Sequence, residues 1–145
     1  MYDASANFLN VHEWAYGVTE VAHIVSLAVA IGLVAVIDLR LLDQGIVDVA
    51  PARLLRATAI ATLIGFVVAL TTGFMIFSTD PVRYFEHPAM RLKLILVLVA
   101  VAFNYTIHSR VASGSRSAAT CRTVAVVSLV LWISVVFTGI FYAFT

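Results

Sequence analysis

Four histidines are the side chains with the clearest capacity for chemistry in this chain, because an imidazole can hold a metal or haem iron or carry a proton. They are His12, His23, His87 and His108. On the helices predicted below, His23 and His108 lie at opposite faces of a membrane, about 22 Å apart along the helix axis. These two cannot bind one metal ion together, whereas His23 and His87 are predicted at the same face and can.

Glu20 and His23 form a Glu-x-x-His tetrad, a spacing that places a carboxylate and an imidazole on one face of a helix and that helix bundles use for metals. A complete site needs further ligands, and Glu86, His87 and His12 could supply them. The pattern predicts a transition-metal site at Glu20, His23 and His87. An ionisable side chain inside a membrane helix is costly and usually functional, so His23 is the first candidate.

Each of these histidines also has a structural interpretation. His23 can be an imidazole at the headgroup boundary that hydrogen-bonds to a neighbouring helix. His87 precedes Pro88, and proline is common at the first position of a helix, so His87 can lie in the loop before that helix. His12 is close in sequence to Trp14, whose ring favours the headgroup zone, which indicates an exposed or interfacial residue.

The elements that must position these side chains are apolar helices. Of the 145 residues, 62% are apolar and only 12% are charged, a composition outside the range of ordinary soluble domains. About 20 helical residues cross a bilayer, and the apolar runs predict helices at residues 18–42, 55–79, 88–110 and 121–144 of a single transmembrane domain, 1–145. The short connections predict antiparallel neighbours. The predicted fold class is all-α, an integral membrane four-helix up-down-up-down bundle.

The distribution of basic residues predicts the orientation of this bundle. They concentrate in and beside the first and third loops, at Arg40, Arg53, Arg56, Arg110, Arg116 and Arg122. The basic residues of the second loop are diluted by nearby carboxylates. By the positive-inside rule, both termini lie outside, in the periplasm of a Gram-negative host, and the protein is a multi-pass protein of the bacterial inner membrane. No basic residue precedes the first apolar run, which argues against a cleaved signal peptide.

Small residues recur every four positions along the second predicted helix, at Ala61, Gly65, Ala69 and Gly73. They line one face of the helix and let another backbone or a flat ligand approach closely. The pattern indicates either helix packing or, at Gly65, clearance for a porphyrin.

Asp38 and His108 are both predicted where a helix meets the cytoplasmic side. This position predicts an ion pair between the first and third helices. The alternative is a functional site, either a second haem at His108 or a site of proton uptake that also includes Asn104.

Several segments resemble an uncharacterised family of small bacterial four-helix inner-membrane proteins. They are Trp-Ala-Tyr at residues 14–16, Glu-Val-Ala-His at 20–23, Asp-Leu-Arg-Leu-Leu at 38–42 and His-Pro-Ala-Met-Arg-Leu-Lys at 87–93, followed by Asn104 and His108. That family commonly carries Asn at the position of His87, so the resemblance leaves His23 and His108 as the matching histidines. The architecture is also loosely similar to small b-type cytochromes and to the membrane domain of copper-resistance proteins.

The leading functional hypothesis is a small haem-b-binding electron-transfer subunit that works at the outer face of the membrane. His23 and His87 would be the axial ligands, and Arg83, Arg91 or Lys93 would neutralise the propionates. Such a subunit would pass electrons between a membrane quinol and an outer-face partner.

Two other hypotheses use the same residues differently. The protein can be a non-catalytic accessory subunit of a larger membrane redox complex, with structural histidines. It can also bind or transport a transition metal, although the single cysteine, Cys121, and the few methionines are a poor ligand set for a soft metal. A net charge of +1 gives no basic surface for nucleic acid, and the chain has no glycine-rich phosphate loop or nucleophile elbow. A stand-alone enzyme is therefore disfavoured.

Overall fold

The computed structural model describes residues 6–144, and the regular elements in that part of the chain are helices. Four of them are long and apolar enough to cross a membrane. Span 1 is Glu13–Leu41, span 2 is Pro51–Phe77, span 3 is Pro88–Ser113 and span 4 is Ala118–Tyr142, with its helix continuing to Phe144. Each exceeds the about 20 residues that a bilayer requires. The prediction of an all-α fold with four membrane-spanning helices is confirmed.

Spans 1 and 2 begin earlier than the apolar runs indicated. Span 1 starts at Glu13 instead of near residue 18, and span 2 starts at Pro51 instead of near residue 55. The apolar run marks only the hydrocarbon depth, whereas the helix continues into the headgroup zone, where Trp14 and Tyr16 are well accommodated. Proline at the first position explains the start at Pro51, because its missing N–H would have no helical partner there.

Two short helices cover the end of the bundle at which the described part of the chain begins and ends. They are Phe8–Val11 and Pro81–Glu86. The side chain of Asn7 accepts a hydrogen bond from the Leu9 N–H, and that of Asp80 accepts one from the Arg83 N–H, so each helix has a side-chain cap. Asn10 donates to the Thr79 carbonyl at 2.9 Å, which ties the first short helix to the end of span 2. We call this the terminal end of the bundle.

The opposite end carries the loops at residues 42–50 and 114–117, and we call it the basic end. Span 1 packs along span 2 and against span 4, and span 3 packs against span 4. Span 2 meets span 3 mainly through Ser109–Ser113, which lies at the basic end. The bundle is therefore closed at its basic end and more open between spans 2 and 3 toward its terminal end.

The centre of the bundle is an apolar core contributed by all four spans. Its buried members are Ala30, Val34, Phe66, Ala100, Trp132 and Val135. The rings of Phe66 and Trp132 stack at a centroid distance of 4.9 Å and join spans 2 and 4. Large apolar side chains also cover the outside, and Ile60, Phe74 and Leu98 are each more than 70% exposed. An apolar exterior of this extent is compatible with a lipid bilayer.

Gly65 lies where the backbones of spans 1 and 2 approach closely. A Cβ atom at this position would stand 3.0 Å from the Ala30 Cβ and 3.1 Å from the Ser26 carbonyl oxygen. At Gly65 the missing side chain allows spans 1 and 2 to pack closely. This agrees with helix packing as the interpretation of the small residues that recur every four positions on span 2.

Span 3 contains a π-helical turn at Asn104–His108. A π turn inserts one extra residue into an α-helix and is often found at functional sites. Both Asn104 and His108 are buried, so the turn directs both polar side chains into the bundle.

Candidate functional site

The imidazole of His23 lies in the terminal half of the bundle and faces span 2. Its Nδ1 atom is 2.8 Å from the Ala69 carbonyl oxygen and 3.3 Å from the Thr72 hydroxyl. A carbonyl oxygen can only accept, so Nδ1 carries the proton and donates it to Ala69. In the neutral ring, the lone pair is then on Nε2, which no group of the described residues engages. A histidine held through Nδ1 in this way has the tautomer and the fixed orientation of a metal-ligating histidine.

Gly73 gives this ring its space. A Cβ atom at position 73 would stand 2.9 Å from Cε1 and 3.2 Å from Nδ1 of His23, which is closer than such contacts occur. The ring therefore lies directly against the backbone of span 2. Of the small residues on span 2, Gly73 is the one whose missing side chain makes room for a histidine.

Lys93 of span 3 projects toward span 4 in the same half of the bundle. Its ammonium lies 3.2 Å from the point at which a Cβ atom of Gly139 would stand, so a second glycine accommodates it. Lys93 is half-buried and has no ion pair or hydrogen bond with any described residue. Lys93 and Glu20 are both close enough to His23 to interact with it electrostatically. This half of the bundle thus combines an imidazole with a free ring nitrogen and a cation without a protein anion.

His87 lies in an aromatic cluster at the terminal end. Its ring packs edge-on against Tyr142 at a centroid distance of 4.9 Å, and Tyr142 packs on Tyr84 at 5.3 Å. The hydroxyls of Tyr84 and Tyr16 are 3.4 Å apart. Its assignment as a second axial ligand remains a prediction.

His12 and Arg91 are surface residues. His12 packs against the rings of Phe8 and Trp14 at 4.8 and 6.2 Å, as an interfacial residue should. Arg91 is exposed, in contrast to Lys93 two positions later. Among residues 6–144, no three His, Cys, Asp or Glu side chains lie close enough to hold a metal ion. Glu20, His23 and His87 are therefore not gathered into one ligand group.

A second polar cluster lies toward the basic end. His108 Nε2 is 2.8 Å from Asp38 Oδ1, so the predicted pair between spans 1 and 3 is confirmed. The Ser128 hydroxyl of span 4 donates to Asp38 Oδ2 at 2.7 Å. All three side chains are at most 1% exposed. Sequence reasoning missed Ser128, because several serines and threonines lie in span 4 and its uniformly apolar pattern does not show which of them points inward.

Two of the apolar cavities on the surface of the described bundle have no histidine among their lining residues. One, of about 400 Å³, is lined by Phe77, Pro81, Val82, Phe85 and Glu86. The other, of about 160 Å³, is lined by Ile31, Trp132, Ile133, Val136 and Phe137.

Comparison with known proteins gives one family. A model described as a family of unknown function, DUF6644, matches residues 7–145. The match covers nearly the whole chain, so the chain belongs to this family. No curated protein and no solved structure matched it.

Proposed function

We propose that this member of the DUF6644 family is a haem-b-binding electron-transfer subunit, with His23 as an axial ligand. The observation that carries the proposal is the hydrogen bond from His23 Nδ1 to the Ala69 carbonyl at 2.8 Å. This bond fixes the ring and leaves Nε2 with a lone pair and no partner among residues 6–144. An ionisable imidazole inside a membrane helix is energetically costly and usually functional. Ligation of iron through Nε2 is the function that this geometry supports.

Lys93 supports the same assignment. A half-buried ammonium among apolar helices is unfavourable without a counter-charge, and no described carboxylate pairs with it. A haem propionate is an anion of suitable size and reach. Arg91, which is exposed on the same helix, can pair with the second propionate at the headgroup level.

The packing of the spans supports a route by which a porphyrin reaches His23. Spans 2 and 3 share few contacts toward the terminal end, and glycines stand against both His23 and Lys93. A porphyrin can enter this opening from the lipid side by separating two helices that are weakly joined there. Bound haem would supply a one-electron carrier, which fits exchange between a membrane quinol and a partner at the surface of the terminal end.

We also propose how the bundle is oriented in the membrane. The arginines of the loops at the basic end place that end in the cytoplasm by the positive-inside rule. The His23 site then lies in the outer half of a bacterial inner membrane.

The test is the haem content of His23→Ala against a matched histidine variant. We expect His23→Ala, purified in detergent after expression with ample haem, to lose haem b while it remains folded and helical. His12→Ala is the control, because His12 is exposed and contacts only aromatic side chains near the surface. Retention of haem in His23→Ala would refute the assignment of the ligand. Absence of haem from the wild type as well would favour an accessory subunit, and metal without porphyrin would favour metal binding.

A further inference from the structure

The arginines at the basic end form two groups, which differ in whether a carboxylate lies beside them. Arg40 and Arg122 face Asp43, with nitrogen–oxygen distances of 3.1 and 3.7 Å. The other arginines at this end are exposed and form no ion pair with any residue in the described part of the chain. They are Arg53, Arg56, Arg110 and Arg116.

The carboxylates at this end do not neutralise the second group. Asp38 is buried and is bound by His108 and Ser128. Asp48 is exposed in the loop at residues 42–50 and pairs with none of the described arginines. The counter-charge of these arginines therefore comes from the surroundings of the bundle.

On span 2, two of these arginines stand at the head of an apolar outer face. Arg53 and Arg56 are followed at intervals of three and four residues by Ile60, Leu63 and Val67, a spacing that places all five on one side of the helix. The three apolar side chains are more than half exposed. Ile60 lies about 6 Å deeper along the helix than Arg56. The outer face of span 2 is thus cationic at its end and apolar directly below.

Span 3 repeats this arrangement at the same end of the bundle. Arg110 is exposed, and Ile107, three positions deeper on the same helix, is about half exposed. Ser109–Ser113 is also the part of span 3 that packs against span 2, where Leu54, Leu55 and Ala112 belong to one apolar cluster. The three arginines of spans 2 and 3 therefore flank one contact between two helices.

A cationic end above an apolar helix face matches the structure of an anionic phospholipid. Basic residues at the ends of membrane helices bind anionic headgroups, and a guanidinium can donate two parallel hydrogen bonds to one phosphate. The arginine stem can lie along apolar surface while its charge stays at the headgroup level. Inorganic phosphate or an acidic peptide would use only the arginines, whereas a lipid also covers the apolar residues below them.

We propose that Arg53, Arg56 and Arg110 form a binding site for an anionic phospholipid. The guanidinium groups bind the phosphate, and the acyl chains lie on the apolar faces of spans 2 and 3 below. Arg116 is not part of the site, because it lies in the loop at residues 114–117 and has no helix face beneath it. The site requires neither haem nor a particular orientation of the bundle.

The test is native mass spectrometry of the full chain, released from detergent that contains equal amounts of dioleoylphosphatidylglycerol and dioleoylphosphatidylcholine. We expect the wild type to retain the anionic lipid in preference to the zwitterionic one. An arginine near the headgroups contributes about a fivefold preference for anionic lipid. We therefore expect Arg56→Gln/Arg110→Gln to bind phosphatidylglycerol at least about fivefold more weakly, with its binding of phosphatidylcholine unchanged.

The matched control is Arg116→Gln/Arg122→Gln, which removes the same number of charges from the same end. We expect this variant to bind phosphatidylglycerol as the wild type does, and circular dichroism checks that both variants remain helical. Equal retention of the two lipids by the wild type, or equal losses in the two variants, would overturn the proposal. Displacement of the lipid by an equal concentration of inorganic phosphate would also overturn it, because the acyl chains would then contribute nothing. Protein without haem should give the same result, so failure of the haem proposal would leave this test unaffected.

Discussion

His23 and His108 show how one hydrogen bond decides what an imidazole can do. In His23 the backbone carbonyl of Ala69 holds Nδ1, so Nε2 is the free atom and can bind iron. In His108 the carboxylate of Asp38 holds Nε2, so Nδ1 is the free atom, and it is sealed inside the bundle. The same side-chain type thus presents a free ring nitrogen toward one end of the bundle and forms a buried pair toward the other.

Lys93 gives a prediction at the scale of a single charge. A cation near the haem favours the reduced state, because reduction lowers the positive charge on the iron. We expect Lys93→Met to lower the midpoint potential by about 40–90 mV, equivalent to about 1–2 kcal/mol at an effective dielectric constant of about 20. Arg116→Met is the control, since that arginine is exposed in the loop at the opposite end of the bundle and its screened charge should shift the potential much less. A redox titration followed at the α-band measures both, and equal potentials in wild type and Lys93→Met would contradict the role of Lys93.

Part of the site could be predicted at this scale. The Asp38–His108 pair followed from two ionisable residues at the same predicted depth on two helices. The Ala69 carbonyl, Gly73 and Ser128 could not be assigned, because the rotation of each helix about its axis decides which residues face inward. In soluble proteins the rotation is predicted from the alternation of apolar and polar helix faces. A membrane helix is apolar on both its inner and outer faces, so this signal is absent.

At the scale of the element, the helices were predictable because hydrocarbon thickness fixes their minimum length. The starts of spans 1 and 2 were not, since nothing in the apolar pattern marks the end of a helix within the headgroup zone. The π turn of span 3 was also missed. Its five residues, Asn-Tyr-Thr-Ile-His at 104–108, include no proline or glycine, so no helix-breaking residue signals it.

The contact between spans 1 and 2 gives a prediction at this scale. A Cβ atom at Gly65 would stand 3.0 Å from the Ala30 Cβ, so Gly65→Ala must push the two helices apart. We expect a loss of about 1–3 kcal/mol in the free energy of unfolding, as for other overpacked contacts. Gly32→Ala is the matched control, because nothing lies within 4 Å of its Cβ position, and higher helix propensity should leave it unchanged or slightly more stable. Unfolding in mixed detergent micelles, followed by circular dichroism, measures both. Equal stability of the two variants would show that spans 1 and 2 do not pack closely at Gly65.

At the scale of the whole molecule, the four spans separate two polar sites along the membrane normal. The His23 site lies where spans 2 and 3 are weakly joined, and the Asp38 cluster lies where they are closed by Ser109–Ser113. The proposed haem ligand and the buried hydrogen-bonded pair are therefore at different depths of the bundle.

The orientation of the molecule gives a prediction that needs no cofactor. In a Cys121→Ser background, which removes the single native cysteine, Ser115→Cys lies in the exposed loop at the basic end. We expect a membrane-impermeant maleimide to label it only after bacterial cells are opened. Val82→Cys, which is exposed at the terminal end, should be labelled in intact cells. The reverse pattern would place the basic end outside and contradict the positive-inside assignment.

The most direct test of the central claim is an absorption spectrum of the purified wild-type protein, oxidised and dithionite-reduced, with a pyridine haemochrome assay on the same sample. We expect a reduced-state α-band and close to one haem b per chain. A featureless spectrum from protein expressed with ample haem would contradict it.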